Sequence, residues 1–332
     1  MLFPKENFSN GCISTVDILY PSGPFFLFFN PVLLQAQLKP VLEYAALPRW
    51  KWPFAPHDLG TYPLANGQVY GGGERTEDDQ MPVEESGNLL ILVAAMEKEL
   101  GNWDFARAYW PQFTKWAEYL REKGLDPSNQ LSTDDFAGHL AHNANLSIKA
   151  IEGVAAYADM ARGVGKPEVA AQYQHLAHDM AARWEPMAKD GDHYKLAFDS
   201  PGTWSQKYNL VWDQILGFNL FPARIRQAEM AYYLKHLNRF GLTLDNRKDY
   251  TKLDWSIWTA TLADSAADWK AILDPIGKWV NEGPSRVPLT DWYDTKTGVE
   301  IGFQARSVVG GVYIKALADK TLAEKWRNRN EP

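Results

Sequence analysis

A single cysteine, Cys12, stands in the chain, which excludes an intramolecular disulfide and a cysteine-rich metal site. Positive charge is scarce too: 34 lysines and arginines face 41 aspartates and glutamates in 332 residues, for a net charge of -7. A nucleic-acid binder needs a basic face to displace counterions, and no basic stripe is visible, so no nucleic-acid partner is expected. No apolar run approaches the ~18 residues that a membrane helix needs, so no membrane partner is expected either. Residues 1–11 lack the charged-then-apolar pattern of a secretory signal. No G-x-S-x-G elbow occurs, and Gly71, Gly72 and Gly73 lack the lysine and following helix of a phosphate loop.

What is present is a chain able to bury a large core, with 45% hydrophobic and 23% charged residues. The segment 53–88 is its most loaded part. It is longer than the ~12–15 residues that unstructured connections rarely exceed, and its aromatic and apolar content argues against disorder. Seven carboxylates lie in it, Asp58, Glu74, Glu77, Asp78, Asp79, Glu84 and Glu85, against one fixed positive charge, Arg75. Such a connection builds a site.

The rest reads as helices in pairs. Asn30 followed by Pro31 is a cap and a first-turn proline, opening a helix that stops near Leu47 and Pro48. Leu89, Leu92, Met96 and Leu100 repeat at helical spacing, Gly101 ends the run, and Phe105, Tyr109, Phe113, Trp116 and Leu120 mark the return helix. Leu140, Ala144, Ile148, Ile151, Ala155 and Ala158 form another stripe, partnered after Pro167 by Val169, Tyr173, Leu176, Met180 and Trp184. Further pairs are expected at about 209–239, about 256–280 and from about 303 to the C-terminus. A short β excursion is expected within 189–205. Hairpins joined by alternating short and long connections, without a fixed repeat length, predict a closed all-α toroid as one domain, 1–332, with the long loops gathered at one end.

Several motifs carry a family resemblance. FSNGC at 8–12, FAPHDLGTYPLANGQVYGGGE at 54–74, MPVEESGN at 81–88, LSTDDFAGH at 131–139, LDWSIWTA at 253–260, DWYDT at 291–295 and FQARSVVGG at 303–311 resemble the glutaminase A family. The resemblance spans nearly the whole chain. It implies the (α/α)6 toroid of six helical hairpins, release of ammonia from L-glutamine, and a secreted or periplasmic setting. Members of that family carry a β-rich N-terminal region and a first toroid helix ahead of FSNGC, so the toroid is expected to be incomplete at its N-terminus. The missing β-rich region is a candidate partner, separately encoded. An open ring would leave apolar surface on the helix at 31–46 or near Val308 and Val312.

The candidate site residues follow from their chemistry. Asp134 and Asp135 stand before a helix, where one carboxylate caps backbone amides and its neighbour points into the loop end. The run TDDFAGHLAHNAN is similar to acid-bearing segments of six-hairpin glycoside hydrolases and phosphorylases, which makes Asp135 the expected proton donor. Glu85, in the first turn of a helix, and Asp254 are the candidate bases. Glutamine presents an amine, a carboxylate and an amide, so its site needs anions, cations and donors together. Asp58, Glu74 and Glu85 are the candidate anions, and Arg75 and Arg306 the cations, with Asp134 also expected to bind substrate. Asp254 and Asp291 each precede a tryptophan, Trp255 or Trp292, and these pairs suit a cleft. Each of these residues also has an ordinary alternative as a cap, a surface ion pair or core packing.

Two weaker constellations are present. His139 and His142 lie three apart, but no third ligand has an identifiable position, so no metal and no cofactor is expected. Cys12 with a histidine would make a Cys-His amidase; a lone buried cysteine is more often inert. The expected function is a hydrolase that uses carboxylates to activate water and protonate the departing nitrogen. The alternatives are a glycoside hydrolase with its acids at the inverting separation of about 6.5–9.5 Å, or a helical module inactive without an N-terminal region.

Overall fold

Helices form where apolar residues recur at 3.6-residue spacing, and several are opened by a side-chain cap. The computed structural model describes residues 1–132, 134–285 and 287–330, together with the backbone but not the side chains of Asp135 and Asn330. Its helices are α1 (Val16–Phe29), α2 (Pro31–Ala45), α3 (Pro82–Leu100), α4 (Asp104–Ala108), α5 (Trp110–Lys123), α6 (Ala144–Gly163), α7 (Pro167–Ala188), α8 (Val211–Leu216), α9 (Ala223–Tyr233), α10 (Leu253–Thr261), α11 (Ala266–Glu282), α12 (Ile314–Ala318) and α13 (Lys320–Arg327). The Asn30 side chain accepts from the Val32 amide at 3.2 Å to open α2. Gly101 closes α3 at a left-handed φ of 69°.

Helix α1 is absent from the sequence reading because Pro21 and Pro24 lie inside it. Each proline removes a helical amide, which normally ends a helix. Here the helix is buried along most of its length, and Ser22 Oγ donates to the Leu19 carbonyl at 3.0 Å. Burial of Ile18, Leu19, Tyr20, Leu27 and Phe28 outweighs the lost bonds.

Six elements form an inner ring. α1 packs on α3, α3 on α6, α6 on the 3-10 turn Tyr208–Leu210 that leads into α8, that turn on α10, α10 on the 3-10 segment Ser307–Tyr313, and that segment back on α1. Helix α10 is buried along its whole length. The second helix of each pair lies outside and is one-sided, as in α5, where Phe113, Trp116, Ala117 and Leu120 face inward.

The expectation of a ring open at its first helix is corrected by this closure. Helix α1, which follows FSNGC, closes the inner ring: Val308 is buried, and a Cβ built on Gly311 would lie 2.8 Å from the Pro21 carbonyl. Val32, Leu33 and Val312 are exposed, on α2 and at the end of the 3-10 segment.

Small β elements complete the loop end. β1 (Lys189–Asp190) pairs with β2 (His193–Tyr194) inside the expected β excursion, and β3 (Leu237–Asn238) pairs with β4 (Gly241–Leu242). The antiparallel sheet of β5 (Tyr250–Lys252), β6 (Thr290–Asp294) and β7 (Glu300–Gln304) was not foreseen. Its strands are three to five residues long, too short for alternation to show. The last helical stretch therefore starts at Ser307, not at residue 303. Lys252 faces Trp292 across this sheet, and β5 runs directly into α10.

The axis is filled by large rings and charge. Tyr20 on α1 lies 5.2 Å from Trp258 and 6.0 Å from Trp212, and donates to Asn209 Oδ1 at 2.9 Å. Lys149 Nζ sits 4.0 Å from the Tyr20 ring centre while ion-paired to Glu84, so α6, α1 and α3 meet at one buried ammonium.

Helices α3 and α6 touch where Gly87 meets Gly153: a Cβ on Gly153 would come within 3.2 Å of Gly87 Cα, and one on Gly87 within 2.7 Å of Lys149 Cγ. Gly87→Val is expected to cost about 1–3 kcal/mol by overpacking. Gly277→Ala, with open space on α11, is expected to gain about 0.5–1 kcal/mol from helix propensity. Urea denaturation of both variants checks the contrast.

Candidate active site

The loaded loop is organised by Asp58. Its Oδ1 accepts from the amides of Gly60 at 2.7 Å and Val69 at 3.1 Å, and its Oδ2 from the Tyr70 amide at 3.1 Å and His57 Nδ1 at 2.9 Å. This folds the chain back so that Tyr70 stacks on the His57 ring at 4.0 Å. With Nδ1 donating to Asp58, Nε2 points inward, 3.6 Å from Asp17 Oδ1 on α1. Glu85, in the first turn of α3, completes the group: one donor atom from each of Asp17, His57 and Glu85 lies within 4.8 Å of the others. Glu85 Oε2 accepts from Asn88 at 3.0 Å, and Oε1 is buried with no hydrogen-bond partner. Among the described residues this is the group able to hold a metal ion.

A second charged arm reaches the same place. Lys252 Nζ lies 3.2 Å from Asp254 Oδ1 and 2.8 Å from Asp291 Oδ2. Arg306 grips Asp291 with Nε at 3.2 Å and Nη2 at 2.7 Å, and reaches Glu6 with Nη1 at 3.0 Å. Thr15 Oγ1 donates to the other Glu6 oxygen at 3.3 Å. Between the two arms lies a cavity of about 60 Å³ whose walls include Glu6, Asp17, His57, Tyr70, Lys252 and Arg306.

Burial and charge set the proton affinities. Burial opposes a charged His57, but the bond to Asp58 and the charges of Asp17 and Glu85 outweigh it and push the ring up to about 10. Burial, reinforced by Asp17, raises Glu85 well above the usual carboxyl range. Burial also raises Asp254, against the pull of Lys252. Asp291 is held low because Lys252 and Arg306 overcome its burial. Burial and the charge of Glu84 push Asp134 up to about 7. Glu85 and Asp254, the expected bases, thus both sit where burial favours the protonated form.

The other expected site residues divide. Asp58, Asp291 and Arg306 converge on the cavity, Asp58 as the support of His57 and Asp291 as the anchor of both cations. Asp134 is not the expected side-chain cap: among the described residues it accepts from Tyr208 OH at 3.1 Å, and its Oδ1 is sealed without a partner. Asp135 opens the 3-10 turn Asp135–Ala137, and its side chain lies outside the described residues. His139 Nε2 contacts Asp79 Oδ1 at 3.0 Å, tying this stretch to the loaded loop. Trp255 is corrected to core, fully buried and stacked flat on Tyr208 at 4.1 Å, where it cannot face a substrate. Trp292 is half-buried, 4.6 Å from Phe136 and 4.9 Å from Phe303. Glu74 and Arg75 are also corrected. Glu74 binds Tyr44 at 2.5 Å and Arg49 at 2.7 Å, and with Arg75 it borders a separate surface depression. Cys12 is buried, and burial beside Asp58 pushes its thiol up, against a nucleophile.

Sequence reasoning missed Glu6, Asp17, His57 and Lys252. His57 precedes Asp58, and Lys252 stands two residues before Asp254, so proximity to singled-out acids was the available signal for both. Asp17 was hidden by the unread α1, and nothing local marks Glu6.

The ring of helical hairpins with acids and cations at its loop end belongs to the six-hairpin toroid class of folds. Solved structures of similar shape include a glycosidase in complex with glucose (TM-score 0.64, 14% identity, covering 92% of this chain and 86% of that one). A bacterial glucoamylase complexed with acarbose matches with TM-score 0.62 and 12% identity, over 96% of this chain and 51% of its own. Mannosylglycerate hydrolase from Thermus thermophilus in complex with glucose matches with TM-score 0.60 and 9% identity, over 91% and 92%. At these identities the likeness concerns the fold alone. The family model described as the glutaminase A six helical-hairpin domain matches residues 1–316, and the chain belongs to that family. Glutaminase A of Aspergillus oryzae is 37% identical over 321 residues, which is 94% of this chain and 46% of that protein. A probable glutaminase of Arthroderma benhamiae is 32% identical, over 98% of this chain and 47% of its own. The chain thus spans about half the length of the curated relatives it matches.

Two measurements test the site's electrostatics. Arg306→Ala leaves Asp291 and Glu6 buried without their guanidinium and is expected to destabilise the fold by about 3–5 kcal/mol, read by denaturant titration. A carboxyl raised from about 3.9 unfolded to about 7 folded contributes stability that is full below the lower value and lost as pH rises through the upper one. Asp134→Asn removes that loss, so the melting temperature of the variant relative to wild type should rise between pH 5 and pH 8.

Proposed function

We propose that this domain hydrolyses the side-chain amide of L-glutamine to glutamate and ammonia. The observation that carries the reading is the meeting of two buried cations, Lys252 and Arg306, with two buried anions, Glu6 and Asp17, around one cavity. A free amino acid brings a carboxylate and an ammonium together, and a site for it needs both signs of charge in a dry pocket. A neutral sugar brings no charge of its own to pair with both signs. The relatives named as glutaminases, at 37% and 32% identity, support the same substrate.

The chemistry needs a water to attack the amide carbon, an acceptor for its proton, and a donor for the departing nitrogen. Asp17, which lines the cavity beside His57, is the acceptor. Asp135, on the stretch tied to the loop by His139, is the proton donor. Asp254 and Asp291 hold Lys252 in position. When the carbon–nitrogen bond breaks, nitrogen takes the donor's proton and leaves as ammonia.

A glycoside hydrolase is the second reading. It is favoured by the half-buried cluster of Phe136, Tyr250, Trp292 and Phe303, a surface on which a sugar ring stacks.

The test is ammonia release from glutamine alongside a panel of aryl glycosides, with glutamine binding measured by calorimetry. Asp135→Asn keeps the side chain's shape without a carboxyl proton and should lower turnover by roughly 10²–10⁴-fold with little change in affinity. Near-normal turnover moves the donor role elsewhere. Glycoside cleavage without glutamine binding or ammonia release overturns the amide reading.

A further inference from the structure

We propose that Asp17, His57 and Glu85 form a binding site for a first-row divalent cation, zinc in the first instance. The three side chains come from different parts of the chain, the start of α1, the loaded loop and the first turn of α3, and their donor atoms meet within 4.8 Å of one another. All three are buried. Zinc bonds of about 2.0–2.2 Å place neighbouring donors about 3.5 Å apart, and His57 Nε2 and Asp17 Oδ1 already stand at 3.6 Å.

Two independent features point to a ligand there. Glu85 Oε1 is buried and has no hydrogen-bond partner, an expense that a bound cation removes. His57 carries the support that metal-ligating histidines share: Nδ1 bonds a carboxylate, Asp58 Oδ2 at 2.9 Å, which aims Nε2 at the other two donors, and a bound cation replaces the Nε2 proton. The donor set also chooses the metal. One imidazole with two carboxylates suits zinc and its neighbours, whereas magnesium and calcium prefer oxygen alone. Asp17 and His57 both line the cavity, so the open coordination positions face it.

The site takes the cavity of the proposed function as its setting, and under that reading the cation supplies an acidified water. The water would give one proton to Asp17, its oxygen would bond to the amide carbon while the carbon–nitrogen bond breaks, and the nitrogen would leave as ammonia with the donor's proton.

The experiment uses the full chain, stripped by chelator and titrated with Zn²⁺ against a chromophoric competitor, with the melting temperature followed in parallel. One zinc per chain is expected, with a rise in melting temperature. His57→Ala should abolish stoichiometric binding, and Asp58→Asn should weaken it about 10–100-fold. His175→Ala, at an exposed histidine, should leave it unchanged. Circular dichroism checks folding, and if His57→Ala does not fold, the isosteric Glu85→Gln must lose binding in its place. Absence of stoichiometric zinc in the wild type, or its retention in a folded variant lacking His57 or the Glu85 carboxylate, overturns the site. Because the readout is bound metal, the two proposals fail separately. Zinc held at these residues without ammonia release overturns the glutamine reading alone, and ammonia release by a chain that binds no zinc overturns the metal site alone.

Discussion

The structure depends on buried charge that is neutralised from neighbouring segments. Lys149 is fully buried on α6, where Glu84 on α3 pairs with it and Tyr20 on α1 offers its ring face. Lys252 does the same between α10 and β6 through Asp254 and Asp291. Arg306 extends the chain of charges to Glu6 near the N-terminus. An isolated buried ion is far too costly to keep, so each of these contacts is satisfied only when the segments stand in one register. Apolar packing makes the ring compact, and the charges select one arrangement of it.

The charges that fix the ring are also those that face the cavity. Lys252 and Arg306 are at once partners of Asp291 and walls of the pocket. Arg306 is therefore oriented before any ligand arrives, held by Asp291 on one side and Glu6 on the other. Preorganisation of this kind spares a ligand the ordering of long side chains, and it makes substitutions in the pocket costly to the fold. The loaded loop behaves alike: Asp58 spends its lone pairs on three amides and His57, so loop shape and ring orientation are one construction.

The glycosidases share the shape of this chain, while the relatives its sequence matches are named glutaminases. A fold does not decide a substrate; the side chains at the site do. In this chain Trp255 lies beneath Tyr208, and the half-buried aromatic cluster sits beside a cavity dominated by ions. That balance of charge over exposed aromatic surface is what separates the amide reading from the sugar reading.

The sequence by itself determined the helices whose apolar residues recur at 3.6-residue spacing between clear caps. The Asn30 cap of α2, the Gly101 stop of α3, the one-sided α5 and the α6–α7 pair are local in origin, because cap bonds and one-sided stripes need no distant partner. It also marked Asp58, Glu85, Asp291 and Arg306 as residues of interest. Only the tertiary structure decided that α1 exists, since burial against the 307–313 segment overrides two prolines. It alone decided that Trp255 is core and that Glu74 turns outward to Arg49. The same holds for the meeting of Asp17, His57 and Glu85: residues 17, 57 and 85 have no spacing in common, and closure of the ring is what brings α1, the loop and α3 to one point.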